Sequence, residues 1–291
     1  MTIHSVGVVG AGQMGNGIAQ VFAQAGYDVL LNDINQTSLD DALTRIDRNL
    51  ERQVAKQALS PDEKSAIMGR VKTTLDLAEL GPLDLIVEAA SEREDIKNAI
   101  FAALAPHLGA HTILTTNTSS ISITRLASLT DRPERFMGIH FMNPVPVMKL
   151  VELIRGLATN EDTFSQIRQV VDRLGKVPTI SEDFPAFIVN RVLVPMINEA
   201  AYVLYEGIGS VSSIDSSMKL GANHPMGPLE LGDFIGLDTC LAIMNVLHRG
   251  LSDSKYRPCP LLVKYVEAGW LGRKSGRGFY DYRSGVPVPT R

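Results

Sequence analysis

Three glycines near the start of the chain constrain its fold more than any other feature. Gly10, Gly12 and Gly15 follow a run of valines, and apolar residues then recur at helical spacing. This order predicts a strand, a tight turn and a helix. Gly10 allows the turn, Gly12 lets a phosphate approach the backbone, and Gly15 lets the helix pack against the strand. The helix N-terminus would then offer N–H groups and a positive dipole end to a pyrophosphate.

A second strand signal follows the predicted helix and ends in an acid. The apolar segment from Tyr27 leads to Asp33, 21 residues after Gly12. An acid at this position accepts hydrogen bonds from an adenosine ribose and repels a 2′-phosphate. Ile34 and Asn35 come next, with no arginine, so we predict NAD as cofactor rather than NADP. The alternative interpretation is a turn in an ordinary α/β core that binds no phosphate.

Composition sets broad limits on the class of protein. The length of 291 residues suits two domains, and the net charge of −4 provides no general basic field for nucleic acid. No apolar stretch approaches the ~20 residues that span a bilayer, and the N-terminus does not resemble a signal peptide. Two cysteines, Cys240 and Cys259, are too few for a disulfide framework. We therefore expect a cytoplasmic protein with neither a membrane nor a nucleic-acid partner.

Strand and helix signals alternate through the first part of the chain. This pattern predicts a Rossmann-type, doubly wound parallel sheet, in a domain covering residues 1–183 with a helical insertion at 36–70. Beyond residue 183 only helices are indicated, which predicts an all-helical C-terminal domain at 184–291. The helix predicted from Phe187 to Tyr205 is apolar on nearly every side. Such a helix is expected in a core or in a subunit interface.

The helical insertion carries cations on its outer face, interleaved with Asp47 and Glu51: Arg45, Arg48, Arg52 and Lys56. One interpretation is a solvated surface stabilised by pairs of opposite charge one helical turn apart. The other is a cationic arm that binds the anionic tail of a substrate. The pattern alone does not separate them.

One pair of residues fits acid–base chemistry. His140 ends a predicted strand at the edge where ligands of such sheets bind. Glu152 lies inside an apolar run, where an unpaired carboxylate is costly, so it needs a partner such as His140. A carboxylate that holds an imidazole raises its basicity and fixes its tautomer, as a general base requires. The alternative is a core histidine and an acid bonded to the backbone.

A metal site is not predicted. His107 and His111 have a spacing used by helical metal ligands, but Gly109 breaks the helix that this requires, and no carboxylate lies beside them. The sequence also lacks a Walker-type phosphate loop and a competing Ser-His-Asp or Cys-His set.

Several segments along the whole chain resemble those of the 3-hydroxyacyl-CoA dehydrogenase family. They are Gly10-Ala-Gly-Gln-Met-Gly-Asn-Gly, Thr116-Asn-Thr-Ser-Ser, Gly138-Ile-His-Phe-Met-Asn-Pro, Asp183-Phe-Pro-Ala-Phe-Ile-Val-Asn-Arg and Lys274-Ser-Gly-Arg-Gly-Phe-Tyr. Within the family, the chain is most similar to the short-chain 3-hydroxybutyryl-CoA dehydrogenases. The resemblance implies oxidation of a 3-hydroxyacyl-CoA to a 3-ketoacyl-CoA, and the reverse reduction, by hydride transfer with NAD.

The resemblance also implies roles for individual residues. His140 is the general base and Glu152 orients it, while Ser119 binds the substrate oxygen and Asn190 helps to hold the substrate and His140. Beyond the glycines and Asp33, the cofactor site takes Gln13, Met14, Glu92, Lys97, Asn117 and Asn143.

The same resemblance places Arg52 and Lys56 at positions for CoA, which favours the cationic arm. Arg52 stands where we expect lysine, and the two side chains donate hydrogen bonds differently. The family also implies a homodimer formed by the helical domain.

Two other functions fit part of this pattern. A dehydrogenase of a hydroxy acid without CoA, of the gulonate type, would keep His140 and Glu152 and lose the need for Arg52 and Lys56. A redox-silent NAD-binding structural protein of the crystallin type would not need the catalytic residues. The sequence gives no chain-length preference and no physiological direction.

Overall fold

The computed structural model describes residues 3–290. Met1, Thr2 and Arg291, at the outer ends of the two predicted domains, lie outside the described residues. The contacts between Cα atoms divide the chain into two compact units, the first ending at Phe184 and the second beginning at Pro185.

The first unit is built on one eight-stranded sheet within the described residues, with the strand order β3-β2-β1-β4-β5-β6-β7-β8. The strands are β1 (Ser5–Val9), β2 (Asp28–Asn32), β3 (Val71–Thr74), β4 (Leu85–Glu88), β5 (Ile113–Thr116), β6 (Phe136–Phe141), β7 (Leu150–Arg155) and β8 (Val177–Glu182). Neighbouring strands are parallel except β6 and β7. The predicted doubly wound sheet is thus confirmed.

The antiparallel pair is a local departure from the predicted parallel sheet. Residues 142–149 join β6 to β7 and contain no helix. A parallel crossover requires a longer connection, usually through a helix, so the chain turns back beside β6 instead. This reversal sets the register in which His140 lies directly opposite Glu152.

Helices cover the sheet of the first unit: α1 (Gln13–Gln24), α2 (Gln36–Ala55), α3 (Pro61–Arg70), α4 (Glu94–Leu104), α5 (Ile123–Ala127) and α6 (Glu161–Arg173). The second and third of these form the predicted insertion. The start of α3 is a capping box in which Ser60 and Glu63 exchange hydrogen bonds. The core contains apolar residues of β1, β2, β4, β6 and β7 packed against α1, α2 and α6.

The second unit is helical, as predicted: α7 (Val189–Tyr205), α8 (Val211–Gly221), α9 (Pro228–Ile235), α10 (Leu237–Leu251) and α11 (Pro260–Glu267). Within the described residues it departs from an all-helical domain in a hairpin of two short strands, β9 (Tyr280–Asp281) and β10 (Val288–Pro289). The predicted start of α7 at Phe187 is wrong. Ala186 and Phe187 have φ angles of +64° and +52°, so the helix begins at Val189.

A helix that spans a membrane must be both long and apolar. Among residues 3–290, no single helix meets both requirements. Only α9 and α10 taken together pass the test, and they are bent by 97° at the break between them.

Candidate active site

The glycine turn leaves space for a ligand at one position and none at another. Gly10 has a φ angle of +97°, which favours glycine. A Cβ atom at Gly15 would lie 1.7 Å from the carbonyl oxygen of Gly10, so no side chain fits there. A Cβ atom at Gly12 would meet nothing within 4 Å. The turn is therefore closed on the side of the sheet and open at Gly12.

The acid at the end of β2 holds this turn. The Asp33 carboxylate accepts a hydrogen bond from the backbone N–H of Ala11 at 2.8 Å, and another from Asn35 at 3.1 Å. In the described part of the chain, no side chain caps the N-terminus of α1. Its first N–H groups and the open face of Gly12 fit a pyrophosphate.

His140 and Glu152 lie side by side on β6 and β7. The Nδ1 atom of His140 is 2.7 Å from Oε2 of Glu152. Both residues are buried, His140 with 6% of its surface exposed and Glu152 with none. The tautomer consistent with an ionised Glu152 has the proton on Nδ1, donated to the carboxylate.

The loop after β5 is organised around Glu92. Its Oε1 atom accepts hydrogen bonds from the hydroxyl groups of Thr118, Ser119 and Ser120 and from the backbone N–H of Ser119. Burial alone would raise the pKa of Glu92, but the charge of Lys97 and these donors hold that pKa below its usual value. Ser119, predicted to bind the substrate oxygen, thus shares its hydroxyl group with Glu92.

Two amide side chains connect the ends of the strands. Asn117 accepts a hydrogen bond from the backbone N–H of Phe141 at 2.8 Å, which links the loop after β5 to the end of β6. Gln13 donates to Asn143 at 3.2 Å, which links the first turn of α1 to the segment after β6. Met14 packs against the core of the first unit. The structure therefore brings the predicted cofactor residues of β1, β5 and β6 to one edge of the sheet.

A buried ion pair lies beside this loop and includes a residue that the sequence analysis missed. The Lys97 ammonium group is 2.7 Å and 2.9 Å from the two carboxylate oxygens of Glu88, and 3.7 Å from Glu92. Glu88 ends β4 and is fully buried. Glu88, like Glu152, is an acid in an apolar strand, so the cost of burying an unpaired carboxylate predicts a partner for it as well.

The charges on the helical insertion pair differently from the simplest expectation. Lys64 of α3 lies 2.8 Å from Asp47 and 2.6 Å from Glu51, two acids of α2. Arg52 contacts the side-chain oxygen of Asn49 at 3.4 Å. Within residues 3–290, neither Arg52 nor Lys56 forms an ion pair with an acid.

The second unit holds two buried acids of a different kind. Asp233 accepts hydrogen bonds from the backbone N–H groups of Phe279 and Tyr280 and from the Tyr282 hydroxyl group. Burial raises its pKa to about 6. Asp215 accepts from the first N–H groups of α9 and from the Tyr280 hydroxyl group. Asn190 is the second residue of α7 in this unit, and its predicted role remains a prediction.

The described residues contain no group of three or more His, Cys, Asp or Glu side chains placed to hold a metal ion. His107 and His111 are therefore not part of such a group.

Comparison with known proteins identifies the family. The 3-hydroxyacyl-CoA dehydrogenase NAD binding domain matches residues 5–184, and the C-terminal domain of the same family matches residues 187–282. The chain is 62% identical to a 3-hydroxybutyryl-CoA dehydrogenase of Bradyrhizobium diazoefficiens, over 99% of both chains. It is 48% identical to a 3-hydroxybutyryl-CoA dehydrogenase of Clostridioides difficile, over 94% of this chain and 98% of that protein.

A solved structure agrees with these matches. The (S)-3-hydroxybutyryl-CoA dehydrogenase of Ralstonia eutropha superposes with a TM-score of 0.94 at 47% identity, and the match covers 97% of this chain and 99% of that one. The predicted resemblance is confirmed by both units and by the sheet that carries the glycine turn. The chain belongs to the 3-hydroxyacyl-CoA dehydrogenase family and is an oxidoreductase with an NAD-binding domain.

Proposed function

We propose that this protein oxidises (S)-3-hydroxybutyryl-CoA to acetoacetyl-CoA with NAD and catalyses the reverse reduction. The observation that supports this most directly is the 2.7 Å contact between Nδ1 of His140 and Glu152, at the sheet edge that carries the glycine turn. The names of the similar proteins support the short acyl chain and its stereochemistry.

In this mechanism His140 moves the proton. Glu152 holds the imidazole through Nδ1, so Nε2 takes the proton of the substrate 3-hydroxyl group. The C3–H bond breaks at the same time, its electron pair leaves as hydride, and the C3–O bond becomes a carbonyl. When bound, NAD supplies the hydride acceptor. In the reverse direction, His140 returns the proton to the developing alkoxide, and the Glu152 carboxylate stabilises the imidazolium form. Ser119 positions the oxygen at C3.

The cofactor site uses the open face of the glycine turn. Backbone N–H groups at Gly12, Gln13 and Met14 bind the pyrophosphate, and Asp33 binds the adenosine ribose and disfavours the 2′-phosphate of NADP. The nicotinamide half is held by Asn117 and Asn143, which follow β5 and β6, by Glu92 in the segment after β4 and by Lys97 on α4.

The surface formed by Arg52 and Lys56 at the end of α2 is proposed to bind the CoA moiety. Lys64 neutralises the nearby acids Asp47 and Glu51. The charges of Arg52 and Lys56 therefore remain available for the phosphates of CoA. Free 3-hydroxy acids carry no such phosphates, so this surface favours a CoA thioester over the substrates of a gulonate-type dehydrogenase.

The proposed quaternary state is a homodimer formed through the second unit. Val192 on α7 and Ile208 after it expose 68% and 70% of their surfaces. We infer that these side chains belong to one apolar patch, the kind of surface at which subunits associate. The chain has a mass of 31.6 kDa. Light scattering should give twice this mass for the wild type, and Val192→Glu should lower the measured mass to that of a monomer.

The test of the proposed function compares substrates and cofactors. Reduction of acetoacetyl-CoA with NADH should be at least tenfold more efficient than with NADPH or with free acetoacetate. Near-equal turnover of free acetoacetate would instead favour the dehydrogenase without CoA. The double variant R52A/K56A should raise the KM for acetoacetyl-CoA about tenfold, since each lost charge contact is worth ~0.5–1 kcal/mol. It should leave unchanged the KM for the acetoacetyl thioester of N-acetylcysteamine, which lacks the phosphates. The matched control is R45A/R48A on the same helix, which removes two cations that the resemblance does not assign to CoA and should leave both KM values unchanged.

A further inference from the structure

Glu88 is a buried acid with no role in the reaction described above. It is the last residue of β4 and has none of its surface exposed. One carboxylate oxygen accepts the backbone N–H of Ala90 at 2.8 Å, and the other accepts the Thr116 hydroxyl group at 2.6 Å. Both oxygens contact the Lys97 ammonium group. Four contacts therefore fix the position of this carboxylate in the core.

Lys97 lies between two carboxylates. Only 1% of its side chain is exposed, and its Nζ atom is 2.7 Å from Glu88 but 3.7 Å from Glu92. Glu88 is thus the closer partner and determines where the ammonium group sits. Lys97 in turn attracts Oε2 of Glu92, while Oε1 of Glu92 holds the loop at residues 118–120. The contacts form one continuous path from Glu88 to this loop.

The exposure of the acids increases along this path from the core to the surface. Glu88 is inaccessible, whereas the Glu92 side chain is 39% exposed at the sheet edge. An acid needed only for stability could be compensated by any buried cation. Here the cation is shared with an acid that faces the edge where the glycine turn lies. Loss of the Glu88 carboxylate would leave Glu92 as the sole anionic partner of Lys97 within the described residues. The Glu92 side chain would then be drawn inward, toward Lys97.

We propose that Glu88 is a positioning residue for the cofactor site: through Lys97 it sets the place of Glu92 and of the loop at residues 118–120. This inference depends on the proposed assignment of Glu92 to the cofactor. Glu88 does not touch the cofactor or the substrate.

The test is a double-mutant cycle on NADH affinity, measured by calorimetry with no acyl substrate present. In metal sites, removal of groups that orient the binding residues costs about 10- to 100-fold in affinity, and we expect the lower end here. E88Q and E92Q should each weaken NADH binding about tenfold. Because both act at Glu92, the double variant E88Q/E92Q should also be about tenfold weaker. Independent effects would multiply to about a hundredfold.

The matched control lies at the other end of the same strand. Asp84 directly precedes β4 and accepts hydrogen bonds from His4 and Ser5. D84N should lower the thermal midpoint and leave NADH affinity within twofold of the wild-type value. An E88Q affinity no weaker than that of D84N, or a hundredfold loss in the double variant, would overturn the proposal.

A second variant covers the case in which E88Q does not fold. E88D keeps the charge but shortens the side chain by one methylene, and the same cycle with E92Q should show a smaller, equally non-additive loss. Multiplying losses in this cycle would also overturn the proposal. Because NADH binding is measured without acyl-CoA, absence of activity on acetoacetyl-CoA would count against the proposed function and would leave this result intact.

Discussion

The two units of this protein bury carboxylates in different ways. In the first unit, Glu88 and Glu152 are paired with basic side chains, Lys97 and His140. In the second unit, Asp233 is surrounded by neutral donors, two backbone N–H groups and a tyrosine hydroxyl group. A charged partner compensates the loss of hydration more fully than neutral dipoles do. Burial accordingly dominates at Asp233 and raises its pKa to about 6.

The difference separates two uses of a buried acid. A pair of an acid and a base at the end of a strand holds a group that can carry a proton or contact a ligand. An acid bonded to N–H groups joins segments of backbone, and Asp233 joins α9 to the residues at 279–282. The comparison therefore predicts that variants of the first kind impair turnover and variants of the second kind impair stability.

Loss of the base should give the largest effect. We expect His140→Gln to lower kcat about 10³-fold, because a positioned general base contributes ~10²–10⁴-fold. NADH affinity and the thermal midpoint should change little. Steady-state kinetics measure kcat, and calorimetry measures the NADH affinity and the thermal midpoint. The control is His111→Gln, an exposed histidine of the same unit. Near-normal turnover of the His140 variant would show that His140 is not the general base.

Loss of the orienting acid should give a smaller effect that is not independent of the first. Glu152→Gln should reduce kcat about 10²-fold, since a neutral amide stabilises the imidazolium form less than a carboxylate does. The double variant H140Q/E152Q should be no slower than H140Q alone. A further large decrease in the double variant would show that Glu152 acts on turnover by a route other than His140.

The second unit should respond in stability instead. Asp233→Asn places an NH₂ group where the carboxylate accepts backbone N–H groups, and one donor loses its acceptor. A buried donor without a partner costs ~1–3 kcal/mol. Denaturant unfolding should show a loss of about this size, with kcat within twofold at 25 °C. The control is Asp281→Asn, which loses an ion pair with Arg283 at the surface. A large fall in kcat without a loss of stability would break the comparison.

The pH dependence of that loss should give the smallest effect and the sharpest test. The pKa of Asp233 is raised from 3.8 in the unfolded chain to about 6 in the folded one. Its contribution to stability is therefore complete below pH 4 and is lost as the pH rises through 6. The free energy that separates wild type from D233N should be about 1 kcal/mol larger at pH 5 than at pH 7.5. A difference that grows with pH would mean that the N–H donors outweigh burial.

Much of the first unit could be predicted because its signals are local. The glycine spacing and the apolar strands each act over a few neighbouring positions. The orientation of β7 could not be read in this way, because strand patterns are the same for parallel and antiparallel neighbours. The turn back through residues 142–149 follows from the length of the connection, which the sequence shows only once both strands are known.

The sequence predicts the residues of the site better than it predicts the contacts between them. The cost of an unpaired acid in an apolar strand predicts a partner for Glu152, and the same cost predicts one for Glu88. The place of Lys97 depends on two acids, one five and one nine residues away, brought together by the packing of α4 on the sheet. The helical spacing of apolar residues begins at Phe187, two residues before the true start of α7 at Val189. Backbone angles of the left-handed region interrupt the helix there and leave no mark in hydrophobicity.

The bond from Ala11 to Asp33 bears on attempts to change the cofactor. Exchange of an acid at this position is the obvious route toward acceptance of a 2′-phosphate, because it removes the repelling charge. In this chain the same carboxylate also holds the backbone of the glycine turn at 2.8 Å. A small or basic replacement would leave that N–H group without its acceptor and loosen the pyrophosphate site for either cofactor. Redesign should therefore begin with asparagine at position 33, whose carbonyl can still accept this bond, and introduce the positive charge at Ile34 or Asn35.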